Sequence, residues 1–402
     1  MNILHINTRY IGGGGAAAIA NLLHNEINKY EGMKSRFLYG RGESNDSNSI
    51  KASYEFESYI SAGVTRVFGR SLNRGISKEV KKEIDNADII HIHNLHGYYI
   101  NYESLIDYIV EKDKKVIWTL HDTWSFTGRC AFTFGCEKWK SGCGNCTNLN
   151  MYPTTKKDIS DKLWKKKKDI FNKLDKKKTV IVTPSKWLKG LVKESYLKEF
   201  NVKVINNGVE ESKYINIDKN IIRKELGLPI DKKIVLFVAA DPNDERKGIK
   251  YILDVLDGFN EDVIFISMGK EINIKNDKLI QLGYKTCRDD IYKVYRASDL
   301  FVIPSLDDNF PTTVLEAFAN GTPVVGFESG GIKEQIMNEK DGYLVKKTDS
   351  RDLKDKIDKC ITNNIDRSLS DKCINKFNEL YSIDIFKNKY LNLFSSLYNK
   401  EV

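Results

Sequence analysis

Residues 304–331 read PSLDDNFPTTVLEAFANGTPVVGFESGG, and this stretch decides the fold. The residues leading into it, Asp299–Pro304 (DLFVIP), form a short apolar run of the kind that makes a central parallel strand buried on both faces. A polar loop follows from Ser305 to Pro311. Thr312–Asn320 then has helical spacing, with Leu315, Phe318 and Ala319 on the inward side and Gly321 just past the end. The loop therefore sits at the carboxyl end of a strand and beside a helix N-terminus. Ligands bind at that edge of open α/β sheets, and the unsatisfied N–H groups of a helix start suit a phosphate. Asp308 and Glu316 stand eight residues apart across the junction. Glu316 can accept hydrogen bonds from vicinal ribose hydroxyls while Asp308 reaches a sugar. The alternative reading is an Asp-rich loop before a helix whose glutamate caps its own N-terminus.

Outward from this stretch, buried-strand signals alternate with helical ones. They fall at Ile3–Asn7, Ile89–His93, Val116–Leu120 and Val180–Thr183, and again at Ile234–Ala239, Val263–Met268, Leu279–Gly283, Leu300–Pro304 and Pro323–Phe327. Such alternation predicts an α/β fold of parallel sheets flanked by helices, and here it occurs twice. The Asn-Asn-Gly turn chemistry of Asn206–Val209 separates the series. A length of 402 residues also exceeds one ordinary core. We expect domains over 1–205 and 206–380, with a final helix over 381–402 whose apolar face needs a packing partner.

The sequence begins directly with a strand, and its composition is that of a globular protein without an apolar run of membrane-spanning length, so a cytoplasmic location is expected. Net charge is +9, concentrated in KLWKKKKDIFNKLDKKK at 162–178. This segment is either a surface helix with its apolar side on the core and its lysines solvated, or a basic amphipathic helix that touches an anionic membrane. It lacks aromatic stacking platforms and any recognised module, so no nucleic-acid partner is expected.

Three further motifs carry chemistry. Gly12–Gly15 link the first strand to a helix and permit close approach of backbone N–H groups to a diphosphate, though the spacing is not the nicotinamide-dinucleotide fingerprint. His121 and Asp122 end the Val116–Leu120 strand, where an imidazole can bond a substrate hydroxyl or carry a proton. Arg246 and Lys247 precede a helix and can neutralise a leaving diphosphate. His5, His91, His93 and His96 follow strand alternation and its loop. Four of the seven cysteines, Cys130, Cys136, Cys143 and Cys146, cluster in an insert at 128–147. Their spacing allows a structural zinc, disulfides or free thiols.

Taken together, the glycine loop, ADIIHIHN, TLHD, VTPSKWL, INNGV, ERKG and the Asp308–Glu316 segment resemble, in order and over nearly the whole chain, the family 4 retaining glycosyltransferases. The cysteine insert resembles that of the colanic acid and related exopolysaccharide transferases. The resemblance implies a GT-B fold, with two Rossmann-like domains facing across a cleft and the C-terminal helix packing back on the first. It implies a nucleotide-sugar donor, UDP- or GDP-linked, and a saccharide or lipid-linked saccharide acceptor; a lipid-linked acceptor would fit contact of the basic 162–178 helix with the inner membrane surface. It also implies that no metal is needed for catalysis. His121, Asp308 and Lys247 take the catalytic positions. Gly13, Gly14, Gly15, Arg246, Lys247, Asn309, Phe310, Pro311, Thr312, Thr313 and Glu316 take the nucleotide-sugar-binding positions. Where the family commonly has Glu and a Gly-rich stretch, this chain has Asp308 followed by Asn309, Phe310 and Pro311. Two other readings fit parts of the sequence: a nucleotide-sugar epimerase on the same plan, and a zinc-stabilised module that binds nucleic acid or membrane.

Overall fold

The computed structural model describes the chain except for Gly13, Tyr54, 69–74, Ala240, 363–366 and 400–402. It divides into two compact units, Met1–Ile205 with Lys387–Val402 and Asn206–Phe386. The last helix, Ile383–Tyr398, is shared between them.

The first unit is built on a seven-stranded sheet in the order β3-β2-β1-β4-β5-β6-β7. Its strands are β1 (Asn2–Arg9), β2 (Lys34–Arg41), β3 (Ser49–Lys51), β4 (Ile89–Ile92), β5 (Lys115–Thr119), β6 (Thr179–Thr183) and β7 (Asn201–Val204). All neighbours pair in parallel. The four residues of β4 and the five of β6 are entirely buried, as expected of strands covered on both faces. The terminal helix closes one face: Tyr390 shares a 2.9 Å hydrogen bond with the Thr119 hydroxyl, and Phe394 packs against His91 with ring centres 5.5 Å apart.

The second unit carries a six-stranded parallel sheet in the order β10-β9-β8-β11-β12-β13. Its members are β8 (Lys233–Ala239), β9 (Val263–Gly269), β10 (Leu279–Gln281), β11 (Leu300–Ile303), β12 (Val324–Phe327) and β13 (Gly342–Val345). The run DLFVIP supplies β11, fully buried and in the middle of the sheet as its composition predicts. Strand order reverses between β8 and β11. The carboxyl ends of those two strands therefore flank the crevice where doubly wound sheets take ligands. The helix after β11, Thr312–Ala319, buries Val314, Leu315, Ala317, Phe318 and Ala319. Burying Leu315 and Phe318 stabilises the unit by roughly 1.5–3 kcal/mol each and fixes the helix start relative to the strand end.

The basic segment forms a helix over Ser160–Phe171 with Trp164, Ile170 and Phe171 on the core. One expectation for it needs correcting, because its lysines are not all solvated. Lys167 is 1% exposed, donates to the Trp124 carbonyl, and lies 4.1 Å from the centre of the Trp124 ring. Burial pushes its pKa down to about 7 from the usual 10.5, against the opposing pull of Cys143, Cys130 and Asp122. Between those two values the unfolded chain holds a proton that the folded chain has released, so stability rises with pH across the interval and is lowest below it. From pH 7 to pH 9 this lysine contributes a rise of about 2 kcal/mol. Urea unfolding at both pH values is expected to show that rise in the wild type and to lose most of it in Lys167→Met.

Candidate active site

The geometry at the β8 and β11 ends follows from two loops pinned to each other. After β8, Asp244 caps a short 3-10 turn, Glu245–Lys247, by accepting from the Arg246 amide. Gly248 then adopts φ +67°, and a Cβ there would stand 2.0 Å from the carbonyl oxygen of Pro304. The Leu306 amide donates to the Arg246 carbonyl at 2.7 Å. Glycine at 248 is therefore what lets the ERKG turn close onto the loop after β11. Gly248→Ala adds a Cβ clash with main chain to a strained φ, and should cost on the order of 3 kcal/mol. Gly14→Ala has the strain of φ +83° but no atom within 4 Å of the added Cβ, and should cost about 1 kcal/mol. Chemical unfolding of the two variants checks the difference.

This closure brings Lys247, Arg246 and Asp308 together. The Lys247 ammonium donates to Asp308 Oδ2 at 2.6 Å, and Arg246 Nη1 reaches the same oxygen at 3.4 Å and the Asp307 carbonyl at 3.1 Å. The Asp308 side chain is 13% exposed and that of Lys247 28%. Burial pushes the Asp308 carboxyl up, but the charges of Lys247 and Arg246 outweigh it and hold its pKa below the ordinary value. The Asp308 main chain is itself fixed, since its carbonyl accepts from the Gly331 amide at 3.0 Å and Gly330, at φ +50°, passes so close that a Cβ would meet that carbonyl at 1.9 Å.

The Phe310 carbonyl accepts from Asn207 and the Pro311 carbonyl from Gln335, each at 3.0 Å, so these acceptors are spent internally. The Phe310 ring is core, packed edge-on against Tyr381. Pro311 caps the helix without a side-chain hydrogen bond, which leaves the first-turn amides of Thr312 and Thr313 uncapped by any side chain. Amides so placed, with the helix dipole behind them, suit an anionic phosphate. Glu316, one turn in, is partly buried. Burial raises its pKa, and the hydroxyls of Tyr295 and Thr312 and the charge of Arg288 only partly offset that. Glu316 and Asp308 therefore differ in kind: the aspartate is an anion neutralised by two cations, whereas the glutamate makes no ion pair among the described residues.

In the first unit, Gly14 caps the helix Gly15–Ile27, again without a side-chain hydrogen bond, while Gly13 lies outside the described residues. His121 follows β5 in a recess shared with His93, His96, Asp122 and Trp124. Its pKa is pushed down to about 4 by burial, despite the neighbouring Asp122, so it is neutral through the physiological range. Asp122 pairs with His96 at 2.9 Å.

Sequence reasoning missed several contributors: Tyr295 and Arg288 beside Glu316, Asn207 and Gln335 behind the 310–311 carbonyls, and His93, whose Nδ1 lies 2.9 Å from His121 Nε2. The H-x-H spacing of His91 and His93 was the one visible signal for the last.

Four thiolates around zinc, at about 2.3 Å each, stand about 3.8 Å from one another. Among the described residues, the one set of three or more candidate ligands with atoms within 4.8 Å of one another is His5, His91 and His93. The cysteines of the insert are not gathered to that degree. Burial raises the Cys130 thiol to about 11 and raises Cys143, and Cys143 Sγ accepts from the Gly128 amide. The insert is instead tied by Arg129, which donates to the carbonyls of Asn148, Leu149 and Met151. As arranged, the four sulfurs do not fit tetrahedral zinc.

The family model for glycosyl transferases group 1 matches residues 218–378, and that for glycosyltransferase family 4 matches 43–213. The putative colanic acid biosynthesis glycosyl transferase WcaC of Escherichia coli is 28% identical over 352 residues, covering 84% of this chain and 85% of that protein. An Escherichia coli UDP-Gal:alpha-D-GlcNAc-diphosphoundecaprenol alpha-1,3-galactosyltransferase is 26% identical over 226 residues, covering 50% of this chain and 57% of that protein. The crystal structure of a glycosyltransferase from Rickettsia africae superposes with a TM-score of 0.70 at 17% identity, over 100% of this chain and 99% of that one, a likeness of fold.

Proposed function

The chain belongs to the family 4 glycosyltransferases and has their GT-B fold, and on that premise we propose that it transfers a sugar with retention from a UDP- or GDP-linked donor to a saccharide or lipid-linked saccharide in surface polysaccharide synthesis. The epimerase and zinc-module readings find no support, since the matched families and relatives are transferases.

The observation that carries the reading is the Lys247–Asp308 pair, 2.6 Å apart and 61 residues apart in sequence, set at the topological switch point beside an uncapped helix start and Glu316. A donor's diphosphate would take the Thr312 and Thr313 amides and draw Lys247 and Arg246 toward it, and its ribose hydroxyls would donate to Glu316. As the sugar–phosphate bond breaks, negative charge grows on the departing diphosphate. Two cations and a helix terminus already oriented there stabilise that charge without reorganising, an effect worth several kcal/mol in comparable sites. The departing diphosphate then accepts the proton of the attacking hydroxyl on the face it leaves. His121, neutral, would serve as a hydrogen-bond donor to substrate and not as a base. Support for a lipid-linked acceptor comes from the undecaprenol-linked substrate in the name of one relative.

The test is release of nucleoside diphosphate from a matched donor and acceptor. Transfer requires release together with a new glycoside of unchanged anomeric configuration. A new nucleotide sugar without release, or an inverted product, would refute the reading. No helix among the described residues is long and apolar enough to cross a membrane. Contact with the inner membrane surface is proposed through the exposed Lys165, Lys166 and Lys168. Vesicle flotation unchanged by neutralising all three would remove that part.

A further inference from the structure

Behind His121, the first sheet holds an arrangement that fold packing does not require. His5 Nδ1 lies 3.2 Å from His93 Nε2, and His93 Nδ1 lies 2.9 Å from His121 Nε2. The ring planes are within 21° and 17° of parallel, with centres 5.4 and 5.2 Å apart. Those separations exceed the N···N distances by about two ring radii. The imidazoles therefore lie end to end and nearly coplanar, so each bond is close to linear. Burial lowers the pKa of all three chain members, which are neutral at pH 7 and carry one N–H each.

One proton per bond leaves two self-consistent polarities. In the first, His121 Nε2 donates to His93, His93 Nε2 donates to His5, and the hydrogen of His5 is left on Nε2. That atom is fully buried and has no hydrogen-bond partner among the described residues. A buried N–H without an acceptor is among the costliest defects in a fold. In the second, His5 Nδ1–H donates to His93 Nε2, His93 Nδ1–H donates to His121 Nε2, and the orphaned atom is only a lone pair. The second polarity is favoured by the difference.

We propose that His5 and His93 are positioning residues whose hydrogen-bonded chain fixes His121 as the Nδ1–H tautomer, making it a donor toward a substrate oxygen and not a base. The proposal rests on the reading of His121 as a substrate contact, but its first test does not. Nitrogen-15 spectra of histidine-labelled wild-type protein at pH 7 are expected to show His121 with a protonated Nδ1 and a bare Nε2. The opposite tautomer would overturn the proposal whatever the enzyme's activity. His5→Leu, which removes the first donor, is expected to mix the His121 tautomers and to lower kcat on the order of tenfold, the scale of losing an outer hydrogen-bond partner, with the donor KM little changed. His5→Asn, which can keep an N–H near the Nδ1 position, is expected to restore both. Folded His5→Leu protein with the wild-type tautomer and kcat would refute the relay. If the tautomer is as proposed but His121→Ala leaves transfer intact, the assignment of His121 to the substrate fails and the relay stands.

Discussion

Lys247→Ala is expected to lower kcat for transfer by about 10²–10³, or 2.7–4 kcal/mol, the cost of removing one preorganised charge-stabilising group from an active site. The geometry gives the reason. Lys247 holds Asp308 at 2.6 Å, while Arg246 is 3.4 Å away and is also engaged with Asp244 and the Asp307 carbonyl. Arginine cannot take over the lysine's place without leaving those partners. The substitution also leaves a largely buried carboxylate with its weaker cation only, so thermal stability should fall as well. Lys247→Ala/Asp308→Asn should recover much of that stability while remaining inactive, which separates folding from chemistry. Steady-state kinetics and thermal unfolding of the three proteins check both halves. Full turnover in a folded Lys247→Ala protein would mean the site is misassigned.

Glu316→Ala is expected to weaken donor binding by about 3 kcal/mol, roughly a factor of 10², because two ribose hydroxyls lose a charged acceptor. The raised pKa of Glu316 adds a pH signature. Only the carboxylate is a strong acceptor. Donor affinity should therefore be full above the raised value and fall as pH drops through it, earlier than for an ordinary glutamate. Glu316→Gln should show a flat profile over the same range. The stability sign is opposite. The folded protein holds the Glu316 proton more tightly than the unfolded chain does, so this residue penalises folding as pH rises above the usual glutamate range. Glu316→Gln should accordingly unfold at a higher temperature than wild type at pH 7, a gain of stability with loss of function. Donor titrations from pH 5 to pH 8, with melting curves of both proteins, test the pair of signs.

What the sequence revealed of this site divides by range. β11, the Thr312 helix and the ERKG turn are local patterns, and each lies within a residue or two of where apolar spacing and turn chemistry place it. β2 was missed because Lys34, Arg36 and Arg41 interrupt its apolar run. Arg36 is tolerable there because Glu83 pairs with it at 3.1 Å, a partner 47 residues away. β3, β7 and β13 are short edge strands with mixed burial, which carry too little of the two-sided apolar signal. The same limit governs the chemistry. Asp308 and Lys247 could each be nominated from their own motifs, but that one neutralises the other depends on Gly248 reaching Pro304. His5 and His93 read as alternating strand residues, and only the pairing of β1 with β4 lines them up behind His121. Lys167 is indistinguishable from its neighbours in a run of four lysines until the helix phase turns it under Trp124.

The most direct measurement of the central claim is calorimetric titration of wild-type, Lys247→Ala and Glu316→Ala proteins with a panel of UDP- and GDP-sugars. At least one donor should bind the wild type and bind both folded variants many-fold more weakly. A donor that binds all three equally, or a panel in which none binds the wild type, would contradict placing the nucleotide sugar between Lys247 and Glu316.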